Sequence, residues 1–249
     1  MTAHIQVTRR DGIGWIGLDR GERRHALTKS MWQALGDAAV RVADDDLSAV
    51  ILTGSGGVFC AGNDLQEYQA HLRDPGSVQA MHRLMDQTLM AIRDIRVPTI
   101  AAIDGPCFGA GLSLATACDL RVASSHASFC APPARLGLVY GSTELRALIQ
   151  MIGPARTKEL IFTARVLDAQ EAHAIGLIER LVDADAGQAA GILAGEMAGL
   201  SRTTQRSSKQ MIDHLALGLP DQPWLEELRQ DAALRADLSK ARIGSRRQS

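Results

Sequence analysis

Residues 54–65 read Gly-Ser-Gly-Gly-Val-Phe-Cys-Ala-Gly-Asn-Asp-Leu and follow directly on Ala49-Val-Ile-Leu-Thr53. The preceding run is short, β-branched and ended by glycine, the pattern of a buried strand. Gly54, Ser55, Gly56, Gly57 and Gly62 give backbone freedom around a Phe and a Cys. Such a loop can bring main-chain N–H groups close to a ligand. A second segment repeats the arrangement: Gly105-Pro-Cys-Phe-Gly-Ala-Gly-Leu-Ser113 follows the apolar strand at 99–104. Two such loops, after two parallel strands, can aim two amides at one oxygen, the geometry of an oxyanion hole. A plainer reading stays open, in which Gly109-Ala-Gly111 only lets a helix pack closely on a strand. A lone Gly-x-Gly is weak support for a dinucleotide site.

Around these loops the chain alternates short strands with helices. Residues 4–9 and 13–19 have the period of half-buried strands and join at Asp11-Gly12, a hairpin signal. Thr28 is placed to cap a helix in which Met31, Leu35, Ala38 and Val42 recur at helical spacing. The aspartates at 44–46 read as a solvated turn rather than a metal site. Residues 77–94 predict an amphipathic helix with Val78, Met81, Leu84, Met85, Leu89 and Ile92 on one face, the methionines as core filler. Strands follow at 119–123 and 127–129, then a helix at 143–151 and another starting at Gly153-Pro154. Asp168 and Glu171 have capping-box spacing, Gly176 is a C-terminal cap, and 177–182 returns as a strand. The alternation predicts an α/β layer architecture with right-handed crossovers. Beyond about residue 186 the strand signals stop, and helices continue with a break at Gly218-Leu-Pro220.

A chain of 249 residues, 46% hydrophobic but only 4% aromatic, must build its core from aliphatic side chains and alanine. Its net charge of −1 gives no electrostatic case for nucleic acid. The basic stretch at 242–247 reads as a solvated tail. Cys60, Cys107, Cys118 and Cys130 lack metal-ligand spacing and predict buried, reduced thiols. No stretch is long and apolar enough for a membrane span, and no basic-then-apolar leader opens the chain, so a soluble, cytoplasmic protein is expected.

These segments together resemble the crotonase (enoyl-CoA hydratase/isomerase) superfamily over roughly residues 5–195. The resemblance is carried by Leu18-Asp-Arg-Gly-Glu-Arg-Arg-His-Ala-Leu27, by Leu52-Thr-Gly followed by Phe59-Cys-Ala-Gly-Asn-Asp-Leu65, and by residues 98–115. Cys118-Asp-Leu-Arg-Val-Ala123 and the segment from Ala164 to Gly176 complete it. It implies a right-handed spiral of ββα repeats as residues 1–195, and a helical region, 196–249, that builds homotrimers or dimers of trimers. It also implies an acyl-CoA thioester substrate whose enolate is stabilised, with no separate cofactor. Carried over, the oxyanion donors are the N–H groups of Asn63 and Ala110. The substrate-binding set is Arg23, His25, Ala26, Ala61, Asp64, Leu65, Gly109, Ser113 and Pro133. Arg23 to Ala26 would border the coenzyme A nucleotide, and the Ala61 carbonyl would meet the adenine.

The chain departs from a hydratase at the two catalytic glutamates, whose places are taken by Ser113 and Pro133. Neither is a carboxylate acid or base. Pro132-Pro-Ala-Arg-Leu-Gly-Leu-Val-Tyr140 resembles instead a stretch of methylmalonyl-CoA decarboxylase, in which a tyrosine faces the substrate carboxylate. Decarboxylation of a short β-carboxyacyl-CoA is therefore the leading expectation, because loss of CO₂ gives the enolate without a base. Tyr140 either bonds that carboxylate or is a buried phenol satisfied by backbone. Glu144, read as one helical turn beyond Tyr140 on the same face, is the rival. It serves either as a displaced base for isomerisation or hydration, or as a plain helix carboxylate. Asp64 is expected to hold loop structure, Glu67 is a further candidate, and His126 and His173 are structural or exposed. A catalytically silent acyl-CoA-binding protein is the alternative from another class. The C-terminal segment lacks the family's usual aromatic, which Lys209 and the arginines from Arg235 onward would have to replace.

Overall fold

Strands β1 (Ile5–Arg10) and β2 (Ile13–Leu18) pair antiparallel through a turn at Asp11 and Gly12, whose φ values of 51° and 74° are left-handed. The structure is a computed structural model describing residues 4–43 and 46–236. Asp44, Asp45 and the basic stretch at 242–247 lie outside the described residues. The chain divides into two units, one ending at Leu200 and one beginning at Ser201.

In the first unit, β2 passes the sheet to β3 (Ala49–Gly54), β4 (Thr99–Ile103), β6 (Leu120–Ser124) and β9 (Arg180–Val182), all parallel. The sheet order is β1-β2-β3-β4-β6-β9, and β5 (Pro106–Phe108), β7 (Ser128–Cys130) and β8 (Leu167–Asp168) form a second, three-stranded sheet. The central strands are apolar without a break because both faces are covered. Ala49, Ile51, Ile100, Ala102 and Val122 meet Ala186, Ala190, Leu193 and Ala194 of a helix spanning Ala186–Ala198. The alternate residues Val50, Leu52, Ala101 and Ile103 face the larger core. That core takes Met31, Trp32, Leu35 and Val42 from α1 (Lys29–Ala43), capped by the Thr28 hydroxyl, which accepts from Met31 N–H at 3.2 Å.

Several elements differ from the sequence expectation. A helix, α2 (Leu65–His71), follows the first glycine loop, where none is signalled; it is too short to show a period and is held by its Asp64 cap. The amphipathic helix, α3 (Pro75–Arg93), starts at an Asp74 cap, two residues earlier than read. Strand β5 lies inside the second glycine loop, paired with β7, so tertiary pairing overrides a loop-like composition. Residues 177–179 are not strand: Leu177 N–H donates to Ala172 as the preceding helix ends, and only β9 joins the sheet. After α4 (Ala110–Ala117) and the one-turn α5 (Pro133–Leu136), α6 (Ser142–Thr163) is interrupted at Gly153, as Gly153-Pro154 signals. α7 (Ala169–Ala174) carries the Asp168–Glu171 capping box, and the Ala186–Ala198 helix is α8.

The second unit, taken by itself, is helical in its described part: α9 (Arg202–Ala216), capped by Ser201, and α10 (Pro223–Leu234). They reverse through Gly218, at φ 69°, and meet where the His214 ring sits edge-on to Trp224 at 5.0 Å.

Candidate active site

The two glycine loops lie directly against each other. Cys60 N–H donates to Pro106, and Phe108 N–H returns a bond to Cys60, so the loops pair like two short parallel strands. A Cβ on Gly111 would stand 2.4 Å from the Cys60 carbonyl oxygen, so that glycine is required by packing alone. Leu27 clamps the first loop from the other side: its N–H donates to Gly62, and its carbonyl accepts from Asp64 N–H. This parallel bridge turns the Asn63 N–H away from Leu27. Ala110 is the first residue of α4, where an N–H has no partner within its own helix. Neither amide donates to a protein acceptor among the described residues. Both residues line one cavity of about 580 Å³, and a Cβ on Gly62 would be 3.8 Å from Ala110 N.

The loops are held by groups behind the cavity and at its edge. Arg24 and His25 have left-handed φ of 50° and 56°. His25 is fully buried, accepts from Arg20 N–H at Nδ1 (2.9 Å), and donates from Nε2 to the Ser55 carbonyl (2.8 Å). Asp64 caps α2 by accepting from the N–H of Gln66 and Glu67, and takes a third bond from Arg20 at 2.9 Å. Burial alone would raise its pKa. The Arg20 guanidinium and the two backbone donors outweigh that and hold it below the usual carboxylate range.

Across the cavity wall lies a set of ionisable side chains. Glu144 is buried: its Oε1 accepts from the Ser113 hydroxyl at 3.2 Å and its Oε2 from Gly141 N–H at 2.6 Å. Burial raises its pKa, and the charge of Asp86 adds to this, against the opposing pull of the two hydrogen bonds. The Tyr140 hydroxyl is buried on the wall and makes no hydrogen bond of good geometry among the described residues, although the Ser113 side chain beside it opposes the rise in its pKa. Burial, then Glu144, pushes its pKa well up. Tyr68, His82, Met85 and Asp86 complete this part of the lining.

A sequence profile of the enoyl-CoA hydratase/isomerase family matches residues 8–239. The chain belongs to that family. It is 35% identical over 216 residues to “Probable enoyl-CoA hydratase echA6” of Mycobacterium leprae, covering 84% of this chain and 82% of that one. It is 38% identical over 183 residues to the mitochondrial methylglutaconyl-CoA hydratase of Mus musculus, covering 72% of this chain and 57% of the other. A crystal structure assigned to the same family, from Hyphomonas neptunium, superposes with a TM-score of 0.91 at 36% identity, over 96% of this chain and 93% of its own. The enoyl-CoA hydratase/isomerase family, or crotonase superfamily, acts on acyl-CoA thioesters, and the mixed α/β fold here is of its type.

Within this family frame, Arg23, Ala26, Ala61, Asn63, Asp64, Leu65, Gly109, Ala110, Pro133, Tyr140 and Glu144 all border the one cavity. Two residues of the expected substrate-binding set do not line this cavity. His25 is sealed behind the loop with both ring nitrogens occupied, and Ser113 lies beneath the wall, donating to Glu144. The helical phase expected for Tyr140 and Glu144 also fails, since α6 starts at Ser142; Gly141 turns the chain so that both still face inward. Glu67 lies outside the cavity lining, accepting from Lys29 N–H at 3.2 Å, and His173 bonds the Ile178 carbonyl while His126 is exposed. All four cysteines are buried and none is in a disulfide; burial raises the Cys60 thiol to about 12, far from a ready nucleophile. Among the described residues no helix is long and apolar enough to cross a membrane.

Sequence reading missed Tyr68, His82 and Asp86. One signal was available: the chain has two tyrosines, and both line the cavity.

Proposed function

We propose that this protein forms and reprotonates the enolate of an acyl-CoA thioester, with Glu144 as general base and acid. The amides of Asn63 and Ala110 receive the thioester oxygen. Arg23, Ala26 and Ala61 border the coenzyme portion. The observation that carries the reading is the Glu144 carboxyl: buried, hydrogen-bonded at both oxygens, and set on the wall of the cavity that holds the two unengaged amides. A pKa raised toward the working pH makes such a carboxylate a better base. It removes a proton from a carbon next to the thioester, and the C–H electron pair moves onto the thioester oxygen. Losing one amide of such a site typically costs about 10²–10³ in rate. Isomerisation of an enoyl-CoA, or hydration, follows according to where the proton and water return.

Decarboxylation of a short β-carboxyacyl-CoA is the second reading, favoured by the unpaired Tyr140 hydroxyl. Against it stands Glu144 in the same cavity, whose charge would oppose a substrate carboxylate. The deciding experiment runs wild type and Glu144→Gln on but-3-enoyl-CoA, crotonyl-CoA and methylmalonyl-CoA. The proposal expects turnover of an enoyl substrate and a loss of about 10²–10⁴ in the variant. CO₂ release from methylmalonyl-CoA alone, undiminished in Glu144→Gln, would replace it by decarboxylation. Binding of all three without turnover would leave an acyl-CoA-binding protein. The helical region from residue 196 is proposed to build the homotrimer.

A further inference from the structure

Glu144 is only 8% exposed, so a proton it takes from substrate needs a way out. Tyr68, on α2, is buried on the cavity wall, and its hydroxyl lies 2.8 Å from Nε2 of His82 on α3. The two rings stack at a centroid distance of 6.4 Å and an interplanar angle of 28°. His82 lines the same cavity and is itself exposed to solvent. The pair thus runs from the buried wall to bulk water. Burial, and then the charge of Glu144, raises the Tyr68 phenol, so Tyr68 stays a neutral hydroxyl able to accept one proton while donating another. Tyr140 has no such outlet among the described residues: its hydroxyl is buried, and the Ser113 side chain beside it is buried too.

We propose that Tyr68 and His82 are the proton path of this site, linking Glu144 to bulk water. The proposal rests on reading Glu144 as the base. On the outward pass the O–H bond of the protonated Glu144 breaks toward a cavity water, which hands one of its own protons to the Tyr68 oxygen. The original Tyr68 O–H bond breaks as a bond to His82 Nε2 forms. His82 then releases its Nδ1 proton to bulk water, and the Glu144 carboxylate is restored. One proton leaves, no electron is transferred, and the inward pass is the reverse. Asp86 is the competing route: it lines the cavity one turn beyond His82 on α3. No hydrogen bond joins it to another cavity side chain among the described residues.

The test uses the full chain and C2-dideuterated but-3-enoyl-CoA; one deuterium stays on C2, and the share of the abstracted one that reappears at C4 of the crotonyl-CoA product is read by mass spectrometry. Wild type is expected to lose most of that abstracted deuterium to water. Tyr68→Phe keeps the ring and its packing but returns more label to product, with a several-fold lower kcat and unchanged KM. His82→Gln, at an exposed position, behaves alike, and added imidazole restores exchange. Asp86→Asn is expected to lose label to water as wild type does, while its kcat shifts because the charge that raises Glu144 is gone. Wild-type label loss in both Tyr68→Phe and His82→Gln overturns the path, as does a block seen only in Asp86→Asn. If Glu144→Gln is inactive while both path variants exchange normally, the path alone falls. If Glu144→Gln turns over like wild type, the base reading falls. If wild type neither converts this probe nor washes deuterium from α-deuterated butyryl-CoA, both fall.

Discussion

The indole N–H of Trp32 donates to Oδ1 of Asn63 at 2.8 Å, tying helix α1 to the loop that carries one of the two unengaged amides. Trp32 is fully buried, so its removal leaves a void as well as an unpaired amide oxygen. Trp32→Phe is expected to destabilise by about 2–3 kcal/mol, the sum of a lost buried hydrogen bond and a partial cavity. It should also lower kcat, because residue 63 loses its anchor. Urea melts paired with steady-state kinetics check this; unchanged kcat in a destabilised protein would make the bond purely structural.

Gly111→Ala tests how tightly the loops are locked. The added Cβ would meet the Cys60 carbonyl oxygen at 2.4 Å and the Cys60 Cβ at 2.8 Å. A paired backbone cannot move aside, so a loss of about 3 kcal/mol or more is expected, at the upper end of overpacking effects. Thermal unfolding measures it, and a wild-type melting temperature would show that the loops yield.

Glu144→Gln separates chemistry from capping. The amide oxygen can still accept from Gly141 N–H, its NH₂ can donate to Ser113 Oγ, and the Ser113 hydroxyl proton can turn to the Gly109 carbonyl at 3.3 Å. Burial raises the native pKa of Glu144 above 4.5, so its contribution to stability is complete below the unfolded value. That contribution declines as pH rises through the folded value. The variant should therefore gain melting temperature over wild type as pH rises, and level off once native Glu144 is ionised. A catalytically dead variant that is also more stable at neutral pH is the expected outcome. Melting curves from pH 4 to pH 8 check it, and a variant less stable throughout would make Glu144 chiefly a cap.

The thiols should be silent in the native protein. Cys60, Cys107, Cys118 and Cys130 are all buried, and burial raises Cys60, Cys107 and Cys130 above the ordinary thiol range. A thiol-disulfide dye is expected to react with none of them within minutes, and with all four in guanidinium. Fast labelling of Cys60 or Cys107 would reopen a nucleophilic role for the glycine loops.

Local sequence determined the central strands, several of the caps and the two glycine loops. Uninterrupted apolar runs such as 49–52 can satisfy both faces only inside a covered sheet, and Thr28, Asp168 and Gly153 place helix boundaries by their own chemistry. The glycine loops suggested paired amides, and it was the family resemblance that singled out Asn63 and Ala110, both of which line the cavity. Tertiary structure alone decided which side chains share the cavity. His25 and Ser113 belong to the segments that carry the family resemblance yet pack behind the loops, while Tyr68, His82 and Glu144 come from three separate helices to one wall. The reason is geometric: a residue's period shows which face of its own helix is buried, but whether that face meets core or cavity depends on helices packed from elsewhere in the chain.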